Sequence, residues 1–195
     1  MTHEFDPLAL PATNFIDEMT AAARGCVALV MGKREASAFF DFSQRGLVSS
    51  LIAVVLGIAI AGFGPMLTGV ALPAGAATQS VIINAVLFVA QAATAFVALR
   101  QMGRQDGYVP YLVASNWVTL ASAVLLMLST LLGAAGIMIL VLVVVMALTT
   151  FINIGRFIVT LTPLQIGILF ISQAVGVFMA MGVVLVMLGV PAPVQ

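Results

Sequence analysis

The chain has 195 residues, of which 63% are hydrophobic and only 7% charged, with seven Lys and Arg balanced by seven Asp and Glu. Soluble domains carry about 25% charged residues, so this composition, with a mean hydropathy of +1.23, excludes a water-soluble fold. A zero net charge excludes the basic signature of a nucleic-acid binder, and no nucleic-acid partner is expected.

All the charges fall in residues 1–45, in the run Arg100 to Asp106, or at Arg156. The first of these segments opens Met1-Thr2-His3-Glu4-Phe5-Asp6, with acids where a signal peptide has bases and no apolar run behind them. No cleaved signal is expected, and the first span must direct its own insertion. Asn14 followed three residues later by Asp17 reads as a helix start. From there Phe15, Met19, Ala22, Cys26 and Leu29 recur at helical spacing, while Asp17, Glu18 and Arg24 oppose insertion across a bilayer. The expectation is an amphipathic helix lying at the membrane surface and ending at Gly32. Phe39, Phe40 and Phe42 then read as anchors at the headgroup level, with Ser43 capping the first span. Lys33, Arg34 and Arg45 are candidate contacts for anionic lipid, or for a cytoplasmic partner that also meets the acids of the segment. Cys26 is the one cysteine, so no disulfide closes within the chain, although a thiol here is a candidate for acylation.

A helix needs about 20 apolar residues to cross roughly 30 Å of hydrocarbon, so the uncharged stretches 46–99 and 107–155 each hold two crossings and a turn. Proline and glycine mark the turns. Span 1 is expected over Leu47 to Leu67 and span 2 over Gln79 to Leu99, separated by Leu72-Pro73-Ala74-Gly75. Span 3 runs from Pro110 to Leu132, before the turn Gly133-Ala134-Ala135-Gly136. Span 4 starts at Ile137 and ends between Phe151 and Thr160, and span 5 covers Leu164 to Leu188. The fold class is therefore all-α, a polytopic membrane protein with five transmembrane helices behind an amphipathic interfacial helix. Its parts are a cytoplasmic segment 1–45, a transmembrane domain 46–190 and a non-cytoplasmic tail 191–195. Short basic loops stay cytoplasmic, and all seven Lys and Arg fall on one side of this topology, with the N-terminus inside and the C-terminus outside. Tyr108 and Tyr111 fit an aromatic belt at the start of span 3.

Within the membrane, Asn84, Gln91, Asn116 and Gln173 are the candidate polar face. Side chains of this kind hydrogen-bond between helices, and alternatively line a path for a neutral or weakly polar solute. Ala53, Gly57 and Ala61, and again Ser172, Gly176 and Ala180, form ridges of small residues that mate with one another or pair two chains. Arg156 either snorkels to the headgroups or turns inward toward Asn153, Gln165 or a lipid phosphate. The one histidine is His3, and there is no His/Cys/carboxylate cluster, Ser/His pair, P-loop or GxGxxG run. Neither catalysis, nor a cofactor, nor a metal is expected.

Five spans, an amphipathic cytoplasmic N-terminus, an outward C-terminus and minimal loops resemble the Yip-domain family, the Ypt-interacting membrane proteins and their bacterial relatives. The closest local pattern is Gly107-Tyr108-Val109-Pro110-Tyr111-Leu112-Val113-Ala114-Ser115-Asn116-Trp117, a loop leading into span 3. The Asp-Leu-Tyr-Gly-Pro motif of eukaryotic members is absent, which weighs against a GTPase-linked trafficking role, and no functional residue is carried over. The resemblance implies a non-enzymatic protein of the cell (inner) membrane that organises or assists membrane partners, as a scaffold, an accessory subunit or a homo-oligomer. The alternative is a small transporter or channel.

Overall fold

The computed structural model describes residues 14–132 and 135–187. His3, the tail 191–195, the expected end of span 5 at Leu188, and Gly133 and Ala134 of the second uncharged turn lie outside the described residues. Six α-helices follow in order: α1 (Phe15–Val30), α2 (Gln44–Leu67), α3 (Ala76–Gln101), α4 (Tyr108–Leu131), α5 (Gly136–Asn153) and α6 (Pro163–Met187). Short 3-10 turns cover Arg34–Phe39 and Gln105–Gly107, and a π turn covers Ile154–Ile158. Five of the helices, α2 to α6, are long and apolar enough to cross a membrane, and no strand occurs among the described residues. In a bilayer the backbone must satisfy its own hydrogen bonds, which makes helix the only open-ended solution for these apolar runs. The outward faces of α5 and α6 agree: Met138, Val141, Leu164, Ile171, Phe178 and Val186 are all exposed on a surface suited to lipid.

Pairing follows the small residues. α2 and α4 form the most extensive helix contact, and Gly57 lets them close until a Cβ there would stand 3.3 Å from Leu120 Cα. α3 lies beside α2 and carries α6 on its other side, where a Cβ on Gly176 would come within 2.4 Å of Thr94 Cγ2. Thr94 turns its hydroxyl back to Ala90 O at 2.8 Å, and both its methyl and its hydroxyl oxygen lie against the glycine. The two ridges of small residues thus serve packing within the chain, but against α4 and α3 rather than against each other. α5 packs on α4, leaving α5 and α6 to meet mainly through the Phe151 and Phe170 rings, 5.7 Å apart.

The first helix is amphipathic, as expected, and its apolar stripe packs on the bundle. Asn14 caps it by accepting from Asp17 N at 2.9 Å, and Gly32, at φ 67, closes its C-terminus. Between these caps, Ala22, Cys26, Ala28 and Leu29 belong to the same hydrophobic core as Ala53, Val113 and Trp117. Its buried stripe is centred on Glu18, Ala22, Gly25 and Leu29, which turns Met19 outward and draws a carboxylate inward. Phe40 fills the notch left at Gly25, where a Cβ would meet Phe40 Cζ at 2.7 Å. The phenylalanine cluster is therefore an internal strut, with Phe40 buried and Phe39 and Phe42 packed against the core. Tyr111 is likewise interior, edge-on to Phe151 at 6.4 Å, while Tyr108 sits half-buried against Phe96.

Candidate functional site

Loop contacts place the charged segments together at one end of the bundle. Arg104, in the α3–α4 turn, donates to Thr160 O at 2.9 Å, to Thr160 Oγ1 at 3.0 Å and to Val159 O. These bonds hold the α5–α6 turn, where Thr160 adopts φ 57, an uncommon conformation for a residue with a β-branched side chain. Asp106 receives Arg104 Nε at 3.4 Å from the exposed side. Asn153, at the end of α5, donates to Leu29 O at 2.7 Å and so fastens the C-terminus of α1 to the same region. At the opposite, uncharged end, the hydroxyls of Thr68 and Thr130 approach to 2.9 Å.

Of the basic candidates, Arg34 and Arg156 are brought together, and with Phe157 and Thr160 they line one hollow of about 260 Å³. Lys33 instead stands 4.0 Å from Glu35, an exposed pair worth little. Arg45, exposed in the first turn of α2, acts on Glu18. Arg156 is exposed beyond the last α-helical turn of α5, its guanidinium 5.2 Å from the Phe157 ring centroid. Its two candidate protein partners are committed elsewhere: Asn153 to α1, and Gln165 to a reciprocal cap with Thr162, with bonds of 3.0 and 3.3 Å.

The polar candidates within the spans do not converge. Asn116, only 1% exposed, donates to Ser50 Oγ at 3.1 Å and ties α4 to α2. Asn84 bonds Ser80 O at 2.8 Å on its own helix, and Ser80 reaches Ala61 O of α2 at 3.5 Å. Gln173 donates to Gln91 O at 2.9 Å and ties α6 to α3. Asn84, Gln91, Asn116 and Gln173 are thus distributed over three separate helix contacts: Gln91 and Gln173 meet, but the four share no common lumen.

Comparison with protein-family models, with curated proteins and with solved structures finds no match. The site must be read from its own chemistry. No group of three His, Cys, Asp or Glu side chains comes together among the described residues. Burial pushes the Cys26 thiol up to about 12, so little thiolate is available for acylation at neutral pH.

Two hollows complete this end. One, of about 510 Å³, lies between α1, α4 and α5 and is walled by apolar side chains that include Met19, Val30, Trp117 and Met146. The other, of about 790 Å³, opens between α5 and α6, lined by Leu148, Phe151, Ile152, Ile166 and Phe170, and has Arg156 on its wall. Beside it a smaller hollow of about 390 Å³ reaches Gln91, Tyr111 and Gln173.

Sequence reasoning missed three of these features. Glu18 reads as an exposed acid for partner contact, yet it is 3% exposed and neither carboxylate oxygen has a hydrogen-bond partner among the described residues. Desolvation holds its carboxyl above the ordinary range; Ser49 and Arg45 oppose this and Asp41 adds to it, with Ser49 near but short of good hydrogen-bond geometry. The signal was the spacing Glu18, Ala22, Gly25, Leu29, a helical stripe of small and apolar residues with an acid at its head. Arg104 reads as a topogenic charge, and nothing local in the sequence marks it as a clamp on a turn 55 residues away. The cleft between α5 and α6 depends on which helices pair, which their separate sequences do not disclose.

Proposed function

We propose that this is a non-enzymatic integral membrane protein of the cell (inner) membrane that organises or assists membrane partners, akin to the Yip-domain proteins its architecture resembles. The observation that carries this reading is the seating of α1: it is capped at both ends, fastened by Asn153 and packed into the core, yet leaves Ile16, Val27 and Met31 exposed. A rigid helix with an unsatisfied apolar edge beside exposed Arg24, Lys33, Arg34 and Glu35 is a docking surface rather than a mere anchor. The cytoplasmic placement of this end follows from its bases, since every Lys and Arg lies here or in the turns joined to it. A solute path would require its polar residues to share one lumen, and the four candidates do not.

Deleting residues 1–45 would remove Leu29, Ala36 and Phe40 from the core, so it tests folding as much as docking. Substitution of exposed residues separates the two. Pull-down of the full chain in mild detergent should lose its specific partners when Ile16, Val27 and Met31 are changed together to serine, with the melting temperature kept. An unchanged partner set would overturn docking through α1.

A further inference from the structure

The geometry points to a specific site for one anionic glycerophospholipid, with its phosphate between Arg34 and Arg156 and an acyl chain in the cleft between α5 and α6. This goes beyond the docking reading and does not depend on it, because it concerns lipid and shares only Arg34 with the docking surface. The argument starts from Arg156. A guanidinium at the membrane boundary needs a counter-charge or water, and among the described residues it has neither an ion pair nor a hydrogen bond. Asn153 and Gln165 are already engaged, which leaves phosphate as the remaining candidate of the three. Arg34 is also without an ion pair among the described residues, and it faces Arg156 across the hollow that both line with Thr160. Two guanidiniums without an opposing carboxylate fit a phosphate, which each can grip through paired N–H donors. Basic pockets between membrane helices hold anionic headgroups in the same manner.

Arg156 also borders the apolar cleft, so the cationic mouth and the cleft form one continuous surface. The cleft exists because α6 packs on α3 and α5 on α4, which spreads two consecutive spans. Its volume of about 790 Å³ lies within the roughly 300–1,000 Å³ typical of ligand sites, and its aromatic and aliphatic walls suit a hydrocarbon chain. Arg104 is a positioning residue here: by holding Thr160 and Val159 it sets the turn that carries Arg156.

The test uses the full chain, delipidated in neutral detergent and mixed with equal amounts of phosphatidylglycerol and phosphatidylcholine of matched acyl chains, with bound lipid counted by native mass spectrometry. The wild type should retain phosphatidylglycerol preferentially. At about 1 kcal/mol for each basic side chain near a membrane surface, Arg34→Gln with Arg156→Gln should reduce that preference roughly 30-fold. The control pair Lys33→Gln with Arg45→Gln should leave it unchanged. Gly167→Trp fills the cleft from a position where a Cβ meets nothing within 4 Å, and should lower retention of the lipid without altering the melting temperature. Excess inorganic phosphate or glycerol 3-phosphate should not displace the lipid. Equal retention of both lipids by the wild type, or an undiminished preference in the double arginine variant, would overturn the site. Equal loss in the control pair would reduce it to diffuse surface charge. Full retention by Gly167→Trp, or displacement by free phosphate, would remove the acyl chain from it.

Discussion

Glu18 and Arg104 show two opposite ways in which a charge is treated at this end of the molecule. Burial leaves the Glu18 carboxyl without a hydrogen-bond partner among the described residues and raises its pKa, so the folded chain holds that proton more tightly than the unfolded one. The penalty for burying it is absent below the ordinary value of 4.5 and grows as pH rises through the raised folded value. Thermal melts in detergent should therefore show α1 docking weaken with rising pH in the wild type. Glu18→Gln should be more stable at neutral pH and lose that dependence, whereas a wild-type profile flat from pH 4 to 8 would contradict the burial. Arg104, by contrast, donates to neutral oxygens of a turn distant in sequence. Hydrogen bonds from a charged group are worth about 1.5–3 kcal/mol, so Arg104→Ala should destabilise the chain by about 2–3 kcal/mol. Asp106→Asn, which removes only an exposed pair at 3.4 Å, should cost under about 1 kcal/mol. Equal effects of the two substitutions in the same melts would sink the clamp.

Helix placement depends on contacts at glycine and on short polar ties. Gly176 leaves no room for a side chain against Thr94, so Gly176→Leu should force α6 from α3 at a cost of about 1–3 kcal/mol. Gly167 on the same helix has open space, and Gly167→Leu should cost little. Matching losses for the two would contradict the α3–α6 pairing. The expected span ends agree with the helices within a few residues because proline, glycine and the charged turn mark them directly: Leu67 ends α2, and span 4 gives way to its π turn after Asn153. The surroundings of α1 were less legible. Its periodicity told that one face is apolar, but lipid and protein offer an apolar face the same environment, and contacts distant in sequence, Asn153 to Leu29 O and Phe15 to Trp117, distinguish them. The polar face was legible residue by residue, as groups that must hydrogen-bond, while their scattering over three contacts depends on helix rotation that the sequence leaves open.

The whole molecule is one-sided. Among the described residues the charged groups gather at one end, where Arg104 and Asn153 join the α5–α6 turn and the end of α1, and the other end carries uncharged turns. Docking of a cytoplasmic partner through α1 requires that charged end to face the cytoplasm. Maleimide labelling in intact cells tests this most directly. Cys26, buried and with a thiol pushed up to about 12, should remain silent as background. Ala74→Cys and Ala135→Cys, in the uncharged turns, should react with a membrane-impermeant reagent from outside. Gln105→Cys, in the charged turn, should react only after the membrane is opened. Labelling of Gln105→Cys in intact cells, with Ala74→Cys protected, would contradict the account.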